Sequence, residues 1–229
     1  MKFWGYLLDL FYPNLCINCS ESLMQGEKVL CLKCITELPK TNFQHKENNL
    51  VEQRFWGKVK VEKATSFLYF RKGSITQTIL HELKYKRNQS VGHFIGELAG
   101  LELADLSCFS DIDIIVPVPL HIKKKLKRGY NQSKIICDGL SETLKKPIIT
   151  HNLTRIKENE TQTKKSVYER HQNILNVFAI KDTQKFEGKH ILLVDDVITT
   201  GSTLEGCISL LNQIKGTKVS VFTIAIAVN

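Results

Sequence analysis

No stretch of this 229-residue sequence approaches the length of a membrane span, and no internal repeat or low-complexity tract stands out. Those absences argue against membrane insertion and against a solenoid, and leave a globular chain able to hold one good-sized core plus a small appendage. A convincing secretory leader is missing too. Residues 1–13 are apolar for a few positions, but they include Asp9, have no small-residue cleavage site and run straight into a cysteine cluster. The expectation is a cytoplasmic protein, in a compartment where disulfides are rare and clustered cysteines more often bind metal. Acids are in short supply: 23 Asp and Glu against 32 Lys and Arg leave a formal charge of +9. Such an excess favours polyanions and phosphorylated metabolites as partners, although its distribution matters more than its sum.

Four of the 7 cysteines stand as two pairs, Cys16-Ile-Asn-Cys19 and Cys31-Leu-Lys-Cys34. Each pair offers two sulfurs from one tight turn, so together they fit a tetrahedral Zn²⁺ site. A redox dithiol would need only one pair, and iron–sulfur clusters use other spacings. Gly26 and the polar residues Glu21, Ser22 and Gln25 read as a turn between ribbon strands. The metal would serve as a structural staple, because so short a segment buries little apolar surface alone. This reading gives a zinc ribbon over residues 1–45, a polar linker around 41–52, and one α/β domain over 46–229. Cys108, Cys137 and Cys207 lie in apolar contexts and read as packing residues.

Apolar patterning places strands at residues 64–70, 113–118, 148–153, 191–194 and 219–227, and helices at 75–85, 91–104 and 133–144. Strands separated by helices imply a mostly parallel sheet flanked by helices. The run 191–194 reads as a strand buried on both faces, with Asp195 and Asp196 at its carboxyl end, the edge where open α/β sheets bind ligands. Val197 and Ile198 follow, then Thr199, Thr200, Gly201, Ser202 and Thr203, which lead into a helical pattern. Unpaired N–H groups at that helix start, its dipole and the hydroxyls make a cradle for a monophosphate. The two carboxylates can accept hydrogen bonds from vicinal ribose hydroxyls or help hold Mg²⁺. An ordinary strand-to-helix turn would need one acid and one threonine.

A second edge loop follows residues 113–118, where Pro117, Val118 and Pro119 stiffen the strand exit. Next comes a cationic run from His121 to Arg128, then Gly129, Tyr130, Asn131 and Gln132. A solvated basic face is the plain alternative. At the end of a core strand, however, Arg128, Asn131 and Gln132 suit the oxygens of a diphosphate. Residues 155–173 are too polar for core and read as a mobile flap, or equally as a surface excursion.

Residues 191–204 resemble the signature of the type I phosphoribosyltransferases, which bind phosphoribosyl pyrophosphate (PRPP). Together with the cysteine pairs, Leu83-Lys-Tyr85, Pro117-Val-Pro119, Arg128-Gly-Tyr-Asn-Gln132, Arg155, Gln162, Glu169-Arg170 and Asn173, the chain resembles the ComF family of competence proteins along nearly its whole length. The resemblance implies a type I phosphoribosyltransferase fold with an N-terminal zinc ribbon. It makes residues 117–119 the diphosphate loop, a stretch near 161–170 with Lys164 the closing loop, and residues 195–203 the site for ribose 5-phosphate, with Mg²⁺ accompanying PRPP. It also implies natural transformation as the setting, with single-stranded DNA and a competence helicase as partners. Lys123 to Arg128 and Lys84 to Arg87, with Tyr85 and Tyr130 as stacking platforms, are the candidate DNA contacts. Two functions follow: a binder of phosphoribosyl ligands, or an active transferase of ribose 5-phosphate in which Asp195, Asp196 and Arg128 serve catalysis. A transferase needs a hood that selects the acceptor. None is expected after the last strand, so the zinc ribbon or residues 64–87 would have to supply it.

Overall fold

Successive side chains of a strand point to opposite faces, so an unbroken apolar run demands a core on both sides. The computed structural model describes residues 13–156 and 177–228 and meets that demand. Ile191 and Leu193 enter one core cluster, while Leu192 and Val194 enter the other. In chain order the strands are β1 (Ala64–Phe70), β2 (Ile114–Pro117), β3 (Leu153–Arg155), β4 (Phe178–Ile180), β5 (His190–Ile198) and β6 (Lys218–Ala227). The α-helices are α1 (Leu32–Thr36), α2 (Ile75–Tyr85), α3 (Gln89–Ala104), α4 (Ser107–Ser110), α5 (Ile122–Arg128), α6 (Gln132–Leu144) and α7 (Ser202–Leu211). A four-stranded sheet runs β1-β6-β5-β2, every pair parallel.

One face of this sheet is covered by α2, α3 and α6, together with Cys16, Leu30, Cys31, Cys34 and Leu38 of the N-terminal segment. The other face is covered by α7, the β3–β4 pair and residues 43–55. Helices α3 and α6 approach closely because glycines line their contact. A Cβ on Gly139 would stand 2.1 Å from the His93 carbonyl oxygen, and one on Gly96 would stand 2.4 Å from that of Ile136.

Three expectations need correction. The strand of the acidic motif does not stop at residue 194: β5 continues to Ile198, with Asp195 opposite Thr223 and Ile198 opposite Ile226. Its partner β6 is long enough to supply the hydrogen bonds. Residues 148–153 are not one strand. Ile148 bridges Ile115 in parallel at the outer edge of the sheet, whereas Leu153 begins β3, which pairs antiparallel with β4. Between them His151 adopts φ 65°, a left-handed turn that separates the two pieces. The stretch 41–52, read as a polar linker, is packed in place with Thr41, Phe43, Asn49 and Val51 buried. Asn49 organises it: its amide nitrogen donates to the carbonyls of Phe43, Lys46 and Ala64, and its oxygen accepts from the backbone N–H of Val51 and Glu52.

Within the cysteine segment one antiparallel bridge, Leu15 to Ser22, closes the first turn, and the second pair opens helix α1. Most of the flap expectation, with Lys164, Gln162, Glu169, Arg170 and Asn173, lies outside the described residues. Arg155 and Ile156 are its described beginning, and the Arg155 guanidinium stands 5.4 Å from the centre of the Phe178 ring.

Candidate functional site

Strand β2 ends at Pro117, whose missing N–H falls on the outer edge of the sheet, the side on which Ile115 bonds residues 147 and 149. The Val118 N–H still donates to the Val194 carbonyl, at 2.8 Å, and there the chain departs into Pro119 and the loop before α5. Strand β5, held by β6, runs on. Asp195 and Asp196 therefore stand past the end of β2, at a step in the carboxyl edge of the sheet. The sequence places both acids at that edge, and the length mismatch between neighbouring strands opens it beside them.

Three segments meet at the step. Helix α6 begins there because Asn131 caps it, accepting from Ser133 N–H at 3.1 Å, while the Asn131 amide donates to the Val118 carbonyl at 2.9 Å. The cap thus ties the helix start to the β2 exit loop. Buried Ser133 donates its hydroxyl to Asp195 Oδ1 at 3.0 Å, and the same oxygen accepts the Asp196 N–H at 2.9 Å. From the last turn of α2, Lys84 places its ammonium 2.9 Å from Asp196 Oδ2. The Tyr130 hydroxyl closes the ring by donating to the Leu83 carbonyl beside Lys84.

Of the residues named from sequence, Pro117, Val118, Pro119, Asn131, Asp195 and Asp196 belong to this arrangement. Arg128 stands next to it, donating from Nη1 to Gln132 Oε1 at 2.9 Å. Gln132 is buried, and its side-chain nitrogen has no partner among the described residues. Tyr130 is buried as well, which removes it as a stacking platform, whereas Tyr85 is 67% exposed. Ser133 was not among the candidates, and Lys84 was named as a DNA contact, whereas it meets Asp196. Ser133 reads as an ordinary helix start, and Lys84 is one of three cations between positions 84 and 87.

The loop after β5 turns directly into a helix. Gly201 adopts φ 85°, a left-handed conformation that costs glycine little, and α7 starts at the next residue. Thr199, Thr200 and Ser202 are exposed, with Thr200 Oγ1 and Ser202 Oγ 3.0 Å apart. Asp195 and residues 197–204 line a hollow of about 50 Å³. Gly201 also lets the N-terminal half approach: a Cβ there would lie 3.4 Å from Arg54 Cβ and 3.5 Å from the Phe55 ring. A larger hollow of about 460 Å³ lies along residues 47–63 and shares no residue with this loop. Its walls carry Glu47, Glu52 and Glu62 with Lys60 and Lys63, and the lysines are paired with Glu62 and Glu47.

Of the two regions proposed to form a hood, residues 64–70 are the sheet strand β1, and residues 75–85 form the helix that brings Lys84 to the acids. The cysteine segment packs against the α2–α3 side, and its Lys28 pairs with Glu97 of α3 at 3.1 Å.

The four cysteine sulfurs all lie within 4.8 Å of one another, and Cys19 and Cys31 Sγ are 3.6 Å apart. Four thiolates about 2.3 Å from one zinc ion stand about 3.8 Å apart, so the cluster is consistent with a zinc site. Two donors already face the sulfurs: the Cys31 N–H to Cys16 Sγ at 3.4 Å and the Asn18 amide to Cys34 Sγ at 3.3 Å. Burial works to raise the Cys16 thiol, but the backbone N–H groups of Cys19, Cys31 and Asn18 outweigh it and hold it at about 6. Burial pushes the Cys34 thiol up to about 12.

Residues 126–228 match the phosphoribosyl transferase domain family. Competence protein F of Haemophilus influenzae is 27% identical over 231 residues, covering 94% of this chain and 98% of that protein. DNA utilization protein YhgH of Escherichia coli is 32% identical over 136 residues, 58% of this chain and 59% of that protein. Competence protein ComFC of Bacillus subtilis is 35% identical over 114 residues, 48% of this chain and 43% of that protein.

Burial, and then the neighbouring charge of Asp196, push the Asp195 carboxyl up to about 7, against hydrogen bonds from Asp196 N–H and Ser133 and the charge of Lys84. An unfolded aspartate titrates near about 3.9, so the stability linked to Asp195 is fully present below that pH and is lost as pH rises to about 7. Asparagine keeps the oxygen that accepts both hydrogen bonds and does not titrate. Asp195→Asn is expected to raise the melting temperature by a few degrees at pH 8 and by less at pH 5, measured by calorimetry. A gain that is equal at both pH values, or larger at pH 5, contradicts the assignment.

Proposed function

The chain belongs to the ComF family of phosphoribosyltransferase-like proteins and has the type I phosphoribosyltransferase fold, and from that premise we propose that it binds PRPP or a related phosphoribosyl ligand and acts in natural competence. The observation that carries this reading is the convergence of α2, α6 and the β2 exit loop on Asp195 and Asp196, next to the open start of α7.

In this reading Thr199, Thr200, Gly201, Ser202 and Thr203 hold the 5′-phosphate with backbone N–H groups, hydroxyls and the dipole of α7. Asp195 and Asp196 accept hydrogen bonds from the ribose hydroxyls. Arg128, Asn131, Gln132 and the loop of Pro117, Val118 and Pro119 take the diphosphate, with Lys164 closing from the following segment. The Gln132 amide nitrogen, unpaired among the described residues, is a donor suited to a ligand oxygen, and burying such a donor unpaired costs about 1–3 kcal/mol. The acid pair itself does not fit a resident Mg²⁺. Asp195 Oδ1 already accepts two hydrogen bonds, and a lysine ammonium sits on Asp196. Magnesium therefore belongs to the ligand, as the counter-ion of its diphosphate.

Single-stranded DNA is the proposed macromolecular partner, in the cytoplasm, and a competence helicase is the proposed protein partner. The DNA face is the exposed row Lys123, Lys124, Lys125 and Lys127 on α5. Arg87 joins it by donating to the Lys127 carbonyl at 3.5 Å, which brings the two basic runs of the sequence side by side, with exposed Tyr85 nearby in the chain. Zinc in the four-cysteine cluster is proposed to fasten the N-terminal segment onto the α2–α3 face. Cys16, Cys19, Cys31 and Cys34 would hold it, and its charge would keep all four as thiolates.

Calorimetric titration with PRPP and Mg²⁺ should show binding that Asp196→Ala and Thr200→Ala each weaken at least about tenfold, the loss of one charge-assisted hydrogen bond. No binding by the wild type, or wild-type affinity in both variants, sinks the proposal, and release of diphosphate with a panel of bases would make the protein a transferase. For the cysteine cluster, elemental analysis should find about one zinc per chain, with Cys31→Ser losing the metal and melting at a markedly lower temperature. A metal-free protein of unchanged stability would refute the site.

A further inference from the structure

The binding roles above make no use of Lys84, yet its placement is tightly determined. It lies in the last turn of α2, and the buried Ile79, Leu80 and Leu83 hold that helix against the core. The preceding backbone carbonyl, that of Leu83, is fastened by the Tyr130 hydroxyl. A long, flexible side chain is thereby delivered to one point, 2.9 Å from Asp196 Oδ2, with the lysine side chain 21% exposed and the aspartate 15%. On the other side of the pair, Asp195 Oδ1 is taken by Ser133 and by the Asp196 N–H.

Two adjacent carboxylates at the edge of a core attract a divalent cation unless another positive charge reaches them first. A tethered ammonium does so without the entropy cost of capturing an ion from solution. A dication spanning both acids would stand within a few ångströms of the ammonium, in a partly buried setting where like charges repel strongly. We propose that Lys84 is the built-in cation of the acid pair, a positioning residue that fixes Asp196 and keeps divalent metal off Asp195 and Asp196 while no ligand is bound. The pair then meets a ligand with its remaining oxygens free for hydroxyl groups. Metal enters only on the ligand's own phosphoryl oxygens. This rests on the reading of the two acids as ligand-facing groups and adds what governs their choice between hydroxyl and metal.

Mn²⁺ alone is the probe, titrated into the full-length, zinc-loaded protein while electron paramagnetic resonance counts the free ion. Wild type should bind it weakly. Lys84→Met should gain one site at least about tenfold tighter, Lys84→Arg should remain weak, and the gain should vanish in Lys84→Met with Asp196→Asn. Equal affinity in wild type and Lys84→Met overturns the proposal, as does a Lys84→Arg protein that binds as tightly as Lys84→Met. Should Lys84→Met fail to fold, Lys84→Gln carries the same comparison. The Lys84 Nζ resonance of the wild type gives a second measure: unbroadened by Mn²⁺ concentrations that saturate the variant if the proposal holds, broadened by them if it fails. PRPP titrated into the same samples separates the two readings. Loss of PRPP binding in the wild type refutes the phosphoribosyl site and leaves the manganese comparison to stand on its own.

Discussion

Everything at the candidate site depends on one mismatch in strand length. The Val118 N–H makes the last rung to β5 and the Val118 carbonyl is taken by the Asn131 amide, so β2 leaves the sheet while β5, supported by β6, continues to Ile198. Asp195 and Asp196 occupy the rungs that β2 leaves unpaired. A β2 that ran on would have bonded the Asp196 N–H, which at the step turns to Asp195 Oδ1. The step instead leaves them half-buried, close enough to the core for Asp195 to be pushed up to about 7.

Around that step the chain builds a ring. Asn131 joins the start of α6 to Val118, Ser133 joins α6 to Asp195, Lys84 joins α2 to Asp196, and Tyr130 joins the residue before Gln132's cap back to α2. The ring gives a physical reason why Leu83-Lys-Tyr85, Arg128-Gly-Tyr-Asn-Gln132 and the acidic motif occur in one sequence: each holds a side chain of another. It also explains division of labour within short motifs. In Arg128-Gly-Tyr-Asn-Gln132, Tyr130 and Asn131 brace backbone, while Arg128 and Gln132 are bonded to each other, with the Gln132 amide nitrogen left without an acceptor among the described residues.

Much of the fold was legible because its signals are local. The apolar run at 191–194, the helical period at 75–85 and the glycine and hydroxyls at 199–203 each report their conformation within a few residues. The tertiary pairings were not legible. Lys84 was hidden among cations, since nothing in its neighbours separates a lysine that meets a carboxylate from one that meets water. Tyr130 looked like an exposed platform, because burial of an aromatic ring is decided by a helix far away in sequence. Residues 41–52 looked like a linker because their few apolar side chains are spaced irregularly. A single asparagine, Asn49, supplies the order that regular hydrogen bonding supplies elsewhere. The ends of β5 and of the 148–153 stretch were missed for a related reason: strand limits are set by the partner strand and by one left-handed residue, His151.

The most direct measurement is a crystal structure of the protein soaked with ribose 5-phosphate in the absence of divalent metal. Phosphate oxygens on the N–H groups of residues 199–203, with the ribose hydroxyls on Asp195 and Asp196 and Ser133 still bonded to Asp195, are the expected result. A phosphate seated instead on the α5 lysines, with the acid pair untouched, would contradict the assignment of the step in the sheet as the phosphoribosyl site.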